Sequence, residues 1–421
     1  MDLIHSAPVP VVENLPDKCR PLAASLYMEL VSQVNNNPED LDAWALLLMF
    51  PKCCLARAPK REPSTNPSRL SNRQYQTNFT LDRLRQWKSG PVARQQLWMD
   101  LEQHQNGPAS RLRGGDLKQR NVSRCKYLYG LHRFGDAVRA LTSRGTATWT
   151  DEVMAQVNDL FPQQATAPQA PGRVTAAPLK IDMTVIVDRV KSFKTGSSGG
   201  RDGLLPQHLK DMLSVRAPGV AGPFLEVLTA FVNLGLSGGF PKAMAPYVTA
   251  APVIPINKKD GGVRPIAVGG TLRRLIAKAA MVSVKNKAEK HFAPTQMAFS
   301  SGGSEAVVHS TSLFLQLSAD QQLPVYILKM DLKNAFNLVS RQAFIDEVVR
   351  RFPEIYEWVL YCYEGENYLY LDDRIHMCVE GVQQGDPLGP LLFCLALKLV
   401  SDRIEQTCPG LGLNHIAFTG V

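Results

Sequence analysis

Apolar residues in the first part of the chain recur at helical intervals. The run from 41 to 50 predicts an apolar helix, and a further helical block spans 123 to 141. Thr150, followed by two acidic residues, is typical of a helix N-cap with first-turn acids that interact favourably with the helix dipole. We therefore expect a mainly helical, basic segment over residues 1–162.

This pattern is interrupted between residues 163 and 178. The stretch is rich in Ala, Pro and Gln and has no apolar period, which is typical of a linker. It predicts a boundary between the helical segment 1–162 and a second domain over residues 179–421.

In the second domain, short apolar strands are predicted between helices. Residues 253–256 and 263–266 flank an Asp260-Gly261 step, which is a strong hairpin turn signal. Val325–Met330 is an apolar run that predicts a strand, and residues 367–380 predict a second hairpin. Strands and helices in this irregular order favour an α+β fold over a doubly wound parallel sheet.

The composition is that of an ordinary globular protein. The 421 residues are 45% hydrophobic and 20% charged, which excludes a wholly disordered, collagen-like or coiled-coil chain. No uninterrupted apolar run approaches the roughly 18 residues that a membrane span needs, and Met1-Asp2-Leu3 is unlike the start of a secretory signal. We expect an intracellular, soluble protein with no membrane partner, in either the nucleus or the cytoplasm.

Basic residues are concentrated in two blocks. The net charge is +9, with 19 Lys or Arg against 6 Asp or Glu from Lys52 to Arg144, and 10 against 2 from Lys242 to Lys290. Such blocks are typical of a surface that binds nucleic acid, although two solvated helical faces would give the same counts. The eight cysteines form no C-x-x-C pair, so they predict neither a zinc knuckle nor a disulfide framework.

Two motifs carry candidate chemistry. Asp331 follows the Val325–Met330 run and opens D-L-K-N-A-F, and a carboxylate at a strand end can hold a divalent metal with oxygen ligands. Residues 381–390 read G-V-Q-Q-G-D-P-L-G-P, in which glycines and prolines shape a rigid loop that can approach a ligand closely. The second motif is far more specific, since a merely structural loop rarely needs the whole string.

The ordered series of motifs resembles the reverse transcriptase domain of non-LTR, LINE-like retrotransposons. It consists of G-G-R-D-G at 199–203, K-K-D-G-G-V-R-P-I at 258–266, K-M-D-L-K-N-A-F-N at 329–337 and G-V-Q-Q-G-D-P-L-G-P-L-L-F at 381–393. The resemblance covers residues 185–405. Group II intron and retron enzymes share this scheme, but the Q-G-D-P-L-G-P form favours the non-LTR branch. The resemblance implies reverse transcriptase fingers and a partial palm, preceded by the helical segment.

The resemblance also implies a role for Asp331 and its neighbours. Asp331 matches the first catalytic aspartate, a ligand of both Mg²⁺ ions in two-metal nucleotidyl transfer, and the carbonyl of Leu332 matches a further metal ligand. Phe336 matches the aromatic residue that blocks a ribose 2′-hydroxyl and so selects dNTPs. The other interpretation of Phe336 is a core residue in a turn.

Five further residues match positions that bind the incoming nucleotide. Lys258 or Lys259 and Arg264 match cations that grip the triphosphate, and Arg suits bidentate contact with phosphate. The other interpretation is an exposed hairpin with ordinary charges. Gln384 and Gly385 match the loop that touches the nucleotide and the template.

The G-G-R-D-G loop matches a segment before the fingers helices. For Gly200, Asp202 and Gly203 the resemblance implies contact with the template. The implied partners are an RNA template, a DNA primer and dNTPs, and the implied activity is that of an RNA-directed DNA polymerase, a nucleotidyltransferase.

The sequence departs from the family after the Gln384 loop. The family carries a Phe/Tyr-x-Asp-Asp box on a hairpin beyond the G-P-L-L-F helix, whereas residues 415–421 read H-I-A-F-T-G-V. If Phe418 aligns with the aromatic residue, Gly420 and Val421 stand where the aspartates belong; otherwise the box is missing. We therefore expect a C-terminally truncated domain with an incomplete metal site and little or no polymerase activity in this chain alone.

An earlier segment spells the same box. Tyr370-Leu371-Asp372-Asp373 precedes the Gln384 loop, where the family instead carries a hairpin, and alternating apolar residues on both sides fit one. We interpret Asp372 and Asp373 as turn residues rather than metal ligands.

Two other interpretations of the chain stay open. One is a non-catalytic nucleic-acid-binding remnant of a mobile element, whose binding would depend steeply on salt but not on Asp331. The other is an unstable translation product, in which the Val325–Met330 strand lacks its neighbour and exposes an apolar edge that favours aggregation.

Overall fold

Helices dominate the fold. The computed structural model describes residues 9–59, 71–105, 117–130, 132–162, 166–170, 176–217, 219–259, 261–325, 327, 330–372 and 374–408. Its α-helices are α1 (Arg20–Asn36), α2 (Leu41–Cys54), α3 (Asn72–Lys88), α4 (Pro91–Gln105), α5 (Leu117–Gly130), α6 (Phe134–Thr142), α7 (Asp151–Asn158), α8 (Met183–Lys191), α9 (Pro206–Met212), α10 (Ala221–Leu236), α11 (Ala245–Val248), α12 (Thr271–Phe292), α13 (Gly303–Asp320), α14 (Ala335–Leu338), α15 (Arg341–Arg351), α16 (Tyr356–Tyr363) and α17 (Gly389–Thr407). Within these described ranges, no helix has the length and apolar character needed to cross a membrane.

In the described part of the chain, four strands form one small mixed sheet. They are β1 (Ala251–Asn257), β2 (Val263–Ala267), β3 (Asn367–Leu371) and β4 (Arg374–Cys378), in the order β2-β1-β3-β4. β1 and β2 form one antiparallel hairpin, β3 and β4 form another, and parallel pairing of β1 with β3 joins the two. Both predicted hairpins and the α+β class are confirmed.

The N-terminal helices share the main core with helices from the second half of the chain. α2 begins where the Asp40 side chain accepts hydrogen bonds from the amides of Asp42 (3.0 Å) and Ala43 (3.1 Å), which pairs two otherwise free N–H groups. Trp44 on this helix is buried, and its ring lies edge-on to Phe240 with the centroids 4.9 Å apart. The Trp44 ring also lies 5.7 Å from that of Phe231 of α10, so buried aromatic surface favours the packing of α2 on α10.

A second, smaller core covers one face of the sheet. Met154 and Val157 of α7, with Phe161, pack against sheet residues that include Val253 and Leu369. α7 begins as the sequence predicts, because the side chain of the preceding threonine accepts a hydrogen bond from the third helical amide at 3.3 Å. The helix that covers the sheet therefore comes from the segment before the predicted linker.

The segment before the predicted linker also pairs with the edge of β1. Thr146 forms an antiparallel bridge with Ile256, and the Ala147 amide donates to the Pro255 carbonyl at 2.8 Å. Side chains from both sides of residues 163–178 thus contribute to the main core and to the core on the sheet. The boundary at this stretch stays a sequence prediction.

The strand predicted over Val325–Met330 was wrong for the residues that the structure describes. Val325, Ile327 and Met330 are in no strand, and the last two are 59% and 64% exposed. A strand needs a hydrogen-bonded neighbour, and no segment in the described ranges pairs with this one. Apolar composition gave the propensity for a strand but could not supply the partner.

Candidate functional site

Asp331 lies at the surface between α13 and α14. Its side chain is exposed, as is that of Leu332. In the described part of the chain, no group of three or more His, Cys, Asp or Glu side chains is arranged to hold a metal ion. Two Mg²⁺ ions need several anionic ligands, so one carboxylate and one carbonyl do not fit them. Asp331 and Leu332 stay predicted ligands, and the described residues alone do not form a magnesium site.

The segment after Asp331 is anchored by stacked aromatic rings. Phe336 is half-buried and stacks on Phe393 of α17, with centroids 5.0 Å apart and ring planes 14° apart. The Phe336 carbonyl also accepts a hydrogen bond from the Val382 amide at 2.8 Å. Phe336 therefore has a packing role that holds α14 against the 381–389 loop, while its selection of dNTPs stays a prediction.

The 381–389 loop closely approaches the end of β2 and α14 at two glycines, where a side chain would not fit. A Cβ on Gly385 would lie 2.3 Å from the Ala267 carbonyl oxygen. Gly381 has φ +75°, and a Cβ there would lie 2.4 Å from the Asn337 carbonyl oxygen. The structure thus brings Gly385 against the end of β2 and Gly381 against α14, and Gln384 lies half-buried between them in the loop.

A buried ion pair fixes the conformation of this loop. Asp386 Oδ2 lies 3.0 Å from Arg273 Nη2, and both side chains are 2% exposed. The same carboxylate accepts hydrogen bonds from the Tyr363 hydroxyl (2.7 Å) and the Leu388 amide (2.9 Å). Burial raises the pKa of Tyr363 well above its ordinary value, so its hydroxyl keeps the proton that it donates.

Arg273 connects the loop to the start of α12. It donates to the Thr249 carbonyl at 2.6 Å and to the Gln383 side chain, and Gln383 in turn donates to the same carbonyl at 2.8 Å. These bonds pair polar groups that would otherwise be costly to bury. Sequence reasoning missed Arg273 and Asp386. For Arg273 the available signal was its helical spacing from the apolar residues Ile276 and Ala280, which are buried in the structure.

A second buried arginine holds the other end of the loop. Arg341 donates to the carbonyls of Gly381 (3.2 Å) and Cys378 (3.1 Å) and to the Asn367 side chain (2.9 Å). The loop is therefore held at both ends by guanidinium groups that bond to backbone and side-chain oxygens. This residue was also missed from the sequence.

The predicted triphosphate-binding cations lie on the β1–β2 hairpin. The Lys258 amide donates to the Gly262 carbonyl at 2.8 Å, which closes the hairpin, and Lys259 is exposed. Arg264 is exposed on β2, the strand whose last residue contacts the 381–389 loop. Asp260, the first residue of the predicted turn step, lies outside the described residues. Binding of a triphosphate by these three cations stays a prediction.

The 199–203 loop packs against the chain that leads into α12. A Cβ on Gly200 would lie 2.7 Å from Gly270 Cα, and Gly203 has φ +81°. Asp202 is 7% exposed, and burial raises its pKa to about 6. Asp202 faces the interior, so a template contact by Gly200, Asp202 and Gly203 stays a prediction.

Asp372 occupies the turn between β3 and β4. It has φ 59°, a left-handed conformation that suits Asp in a hairpin turn. Arg201 donates to the Asp372 carbonyl at 2.8 Å and lies over the Tyr370 ring at 4.7 Å, which ties the 199–203 loop to this turn. The interpretation of Asp372 as a turn residue is confirmed, and Asp373 lies outside the described residues.

Comparison with known proteins shows what the chain is similar to. Residues 256–419 match the family described as reverse transcriptase (RNA-dependent DNA polymerase). The chain is 24% identical over 291 residues to the retrotransposable element SLACS 132 kDa protein of Trypanosoma brucei gambiense, an alignment that covers 66% of this chain and 22% of that protein. It is 26% identical over 231 residues to the retrovirus-related Pol polyprotein from type-2 retrotransposable element R2DM of Drosophila melanogaster, covering 52% of this chain and 20% of that protein.

These matches confirm the resemblance found in the sequence. Residues 256–419 resemble a reverse transcriptase, and both relatives are retrotransposable-element proteins, which supports a LINE-like reverse transcriptase. It spans about a fifth of the length of each of the two relatives.

Proposed function

We propose that this chain contributes the nucleotide- and template-contacting part of an RNA-directed DNA polymerase. The observation that carries the proposal is the placement of the 381–389 loop. Gly385 contacts the end of β2, and Phe336 lies against the same loop, so three elements matched to nucleotide binding meet in one place. The proposed ligands are an RNA template, a DNA primer and dNTPs.

The α5–α6 helical hairpin supports a nucleic acid partner. Tyr127 and Tyr129 on α5 are 59% and 64% exposed, and the neighbouring Arg124 and Lys126 are exposed as well. Exposed aromatic rings beside cations are typical of surfaces that stack bases and contact the backbone of single strands. These residues belong to the first basic block.

We further propose that the polypeptide of residues 1–421 does not polymerise by itself. Asp331 is exposed, and no other carboxylates of the described ranges join it in a metal-binding group. Asp331 and the Leu332 carbonyl would be this chain's contribution to a magnesium site whose other ligands come from elsewhere. Without those ligands, the charge of two Mg²⁺ ions is not balanced.

The proposed function is tested by ternary complex formation, which does not require catalysis. Binding of a labelled RNA template–DNA primer hybrid is measured by fluorescence anisotropy in Mg²⁺ buffer, with the next complementary dNTP or a non-complementary one. We expect only the complementary dNTP to tighten binding. Replacement of Lys258, Lys259 and Arg264 by Gln should abolish this effect and leave hybrid binding itself within about threefold, since the hairpin cations grip the triphosphate.

A matched control removes the same charge elsewhere. Lys242, Lys287 and Lys398 each form an ion pair with a carboxylate at 2.8–2.9 Å, and their replacement by Gln should preserve the dNTP effect. A dNTP effect that survives in the hairpin variant would contradict the assignment of these cations.

The second candidate function is a nucleic-acid-binding remnant without catalysis. The exposed Asp331 and the exposed aromatic residues of α5 favour it. This candidate predicts hybrid binding with no response to any dNTP, and no change of binding in Asp331→Ala.

A further inference from the structure

Five basic side chains from four segments converge beside the 199–203 loop. We call them the cationic cluster: Arg189 of α8, Lys194, Lys210 of α9, and Arg274 and Lys278 of α12. Four of the five are half-buried and Lys194 is exposed. The cluster is therefore partly enclosed by the fold, unlike a set of fully solvated surface charges.

Phe193 organises the cluster. The Arg274 guanidinium lies 5.4 Å and the Lys278 ammonium 5.1 Å from the centroid of its ring. Lys210 donates to the Phe193 carbonyl, and Arg274 donates to the Ser198 carbonyl. Cation–π contacts and bonds to neutral carbonyls hold these side chains in position without neutralising their positive charge.

Within the described ranges the cluster is not ion-paired with any carboxylate, although the charge of Asp202 acts on Arg274. No ion pair formed there includes any of its five members. The Nε atoms of Arg189 and Arg274 are buried and have no hydrogen-bond acceptor among the described residues. Buried donors without acceptors are rare in native proteins and call for a ligand or a solvent molecule.

The electrostatic state of the cluster agrees with this geometry. The pKa of Lys278 is lowered first by burial and then by the charges of Arg189, Arg274, Lys194 and Lys210. Burial also lowers the pKa of Lys210, and lowers that of Arg274 to about 10 against the opposing effect of the Asp202 carboxylate. Gathering like charges in a partly desolvated site costs free energy, which a bound anion would offset.

We propose that the cationic cluster binds the phosphodiester backbone of the template strand. Guanidinium and ammonium groups are the side chains that recognise phosphate, and the Arg274 bond to Ser198 places the cluster next to the 199–203 loop. The identity of the strand as template RNA rests on the proposed function. The phosphate chemistry does not, because it follows from the cluster itself.

The test measures the salt dependence of single-stranded RNA binding. Labelled RNA is titrated with the full chain at several KCl concentrations, for the wild type and for a variant with Lys194→Gln, Lys210→Gln and Lys278→Gln. Each phosphate contact to a single strand contributes about 0.7 to the log–log salt slope, so three lost contacts reduce the slope by about 2. At 0.1 M salt this corresponds to a loss of affinity on the order of 100-fold.

Two control variants separate local charge from net charge and from folding. The ion-paired lysines Lys242, Lys287 and Lys398, replaced by Gln, remove the same net charge and should change affinity by less than about threefold, since each is already paired with a carboxylate. The triple Lys→Arg variant of the cluster keeps its charge and should bind RNA as the wild type does. The proposal would be overturned if the Lys→Arg variant or the paired-lysine variant lost as much affinity as the Lys→Gln variant of the cluster.

The outcomes distinguish this proposal from the function on which it rests. Wild-type binding of RNA with an unchanged salt slope in the Gln variant would overturn the role of the cluster and leave the proposed function standing. A wild-type chain that binds no RNA would overturn both. A loss of affinity confined to double-stranded DNA, with RNA binding unchanged, would contradict the assignment to the template strand.

Discussion

The carboxylate of Asp386 lies 3.0 Å from the guanidinium of Arg273, and both side chains are almost fully buried. The two residues are 113 positions apart in the sequence. Their contact joins the 381–389 loop to the first turn of α12. Through this pair the position of Gln384 and Gly385 depends on a helix that carries none of the residues matched to nucleotide binding.

Removal of either partner should destabilise the protein strongly. We expect Arg273→Met to lower the free energy of unfolding by about 3–5 kcal/mol, because it leaves a buried carboxylate without its cation. Urea unfolding followed by circular dichroism measures this change. The double variant Arg273→Met with Asp386→Leu should lose less than the sum of the two single variants.

A surface ion pair provides the comparison for this prediction. Lys242→Gln removes the partner of Glu364 in an exposed pair and should change the free energy of unfolding by less than about 1 kcal/mol. Strict additivity in the Arg273–Asp386 double variant would mean that the buried pair is not coupled.

Gly385 should not tolerate a side chain. The Cβ of Gly385→Ala would lie 2.3 Å from the Ala267 carbonyl oxygen, so the loop or β2 must shift, at a cost of about 1–3 kcal/mol in the free energy of unfolding. Gly365→Ala is the matched control, since a Cβ there meets nothing within 4 Å. Thermal melts of the two variants check this prediction, and equal melting temperatures would refute the close approach of the loop to β2.

Protonation of His208 should destabilise the fold in acid. The His208 ring is buried, Nδ1 accepts from the Leu205 amide at 3.2 Å, and Nε2 donates to the Val12 carbonyl at 2.6 Å, which requires the neutral ring. Burial lowers its pKa to about 4 from an ordinary value near 6.5. The unfolded chain therefore binds more protons between these values, and stability falls as the pH is lowered from about 6.5 to 4.

The size of this effect is set by the pKa difference. This pKa difference lowers the free energy of unfolding by about 3 kcal/mol between pH 7 and pH 4. His208→Gln should abolish this part of the pH dependence, as measured by urea unfolding at several pH values. An identical pH profile in wild type and variant would show that His208 does not control the acid response.

The contribution of Asp202 to the pH dependence of stability should have the opposite sign to that of His208. Its folded pKa of about 6 lies above the ordinary value, so the folded protein binds the proton more tightly and stability falls as the pH rises from about 4 to 6. Asp202→Asn should therefore be least destabilising at neutral pH and most destabilising near pH 4. The unfolding free energies of Asp202→Asn and wild type are compared at several pH values. A difference that does not vary with pH would contradict a raised pKa of Asp202.

Local sequence signals predicted much of the fold but not the polar interior. Thr150 caps its helix, and the turn at Asp372 forms, because capping and turn preferences act over a few residues. The Arg273–Asp386 pair could not be predicted in this way, since the burial of a charge depends on a partner distant in sequence. The Val325–Met330 prediction failed for a similar reason: a strand depends on pairing with another segment.

The candidate site also combines features that could be predicted from the sequence with features that could not. The resemblance to reverse transcriptases assigned Gln384, Gly385 and Phe336 to one site. In the structure the 381–389 loop contacts the segment that contains Phe336. Asp331 was matched just as readily, yet a metal site needs side chains from several elements, and the described residues do not assemble them.

Primer extension by the polypeptide of residues 1–421 tests the central claim most directly. The assay uses an RNA template, a DNA primer, dNTPs and Mg²⁺ or Mn²⁺, with Asp331→Ala as the paired variant and hybrid binding verified in the same samples. We predict salt-sensitive binding of the hybrid by both proteins and no extension above that of Asp331→Ala. Extension by the wild type that is lost in Asp331→Ala would show a working metal site within these residues and would contradict this account.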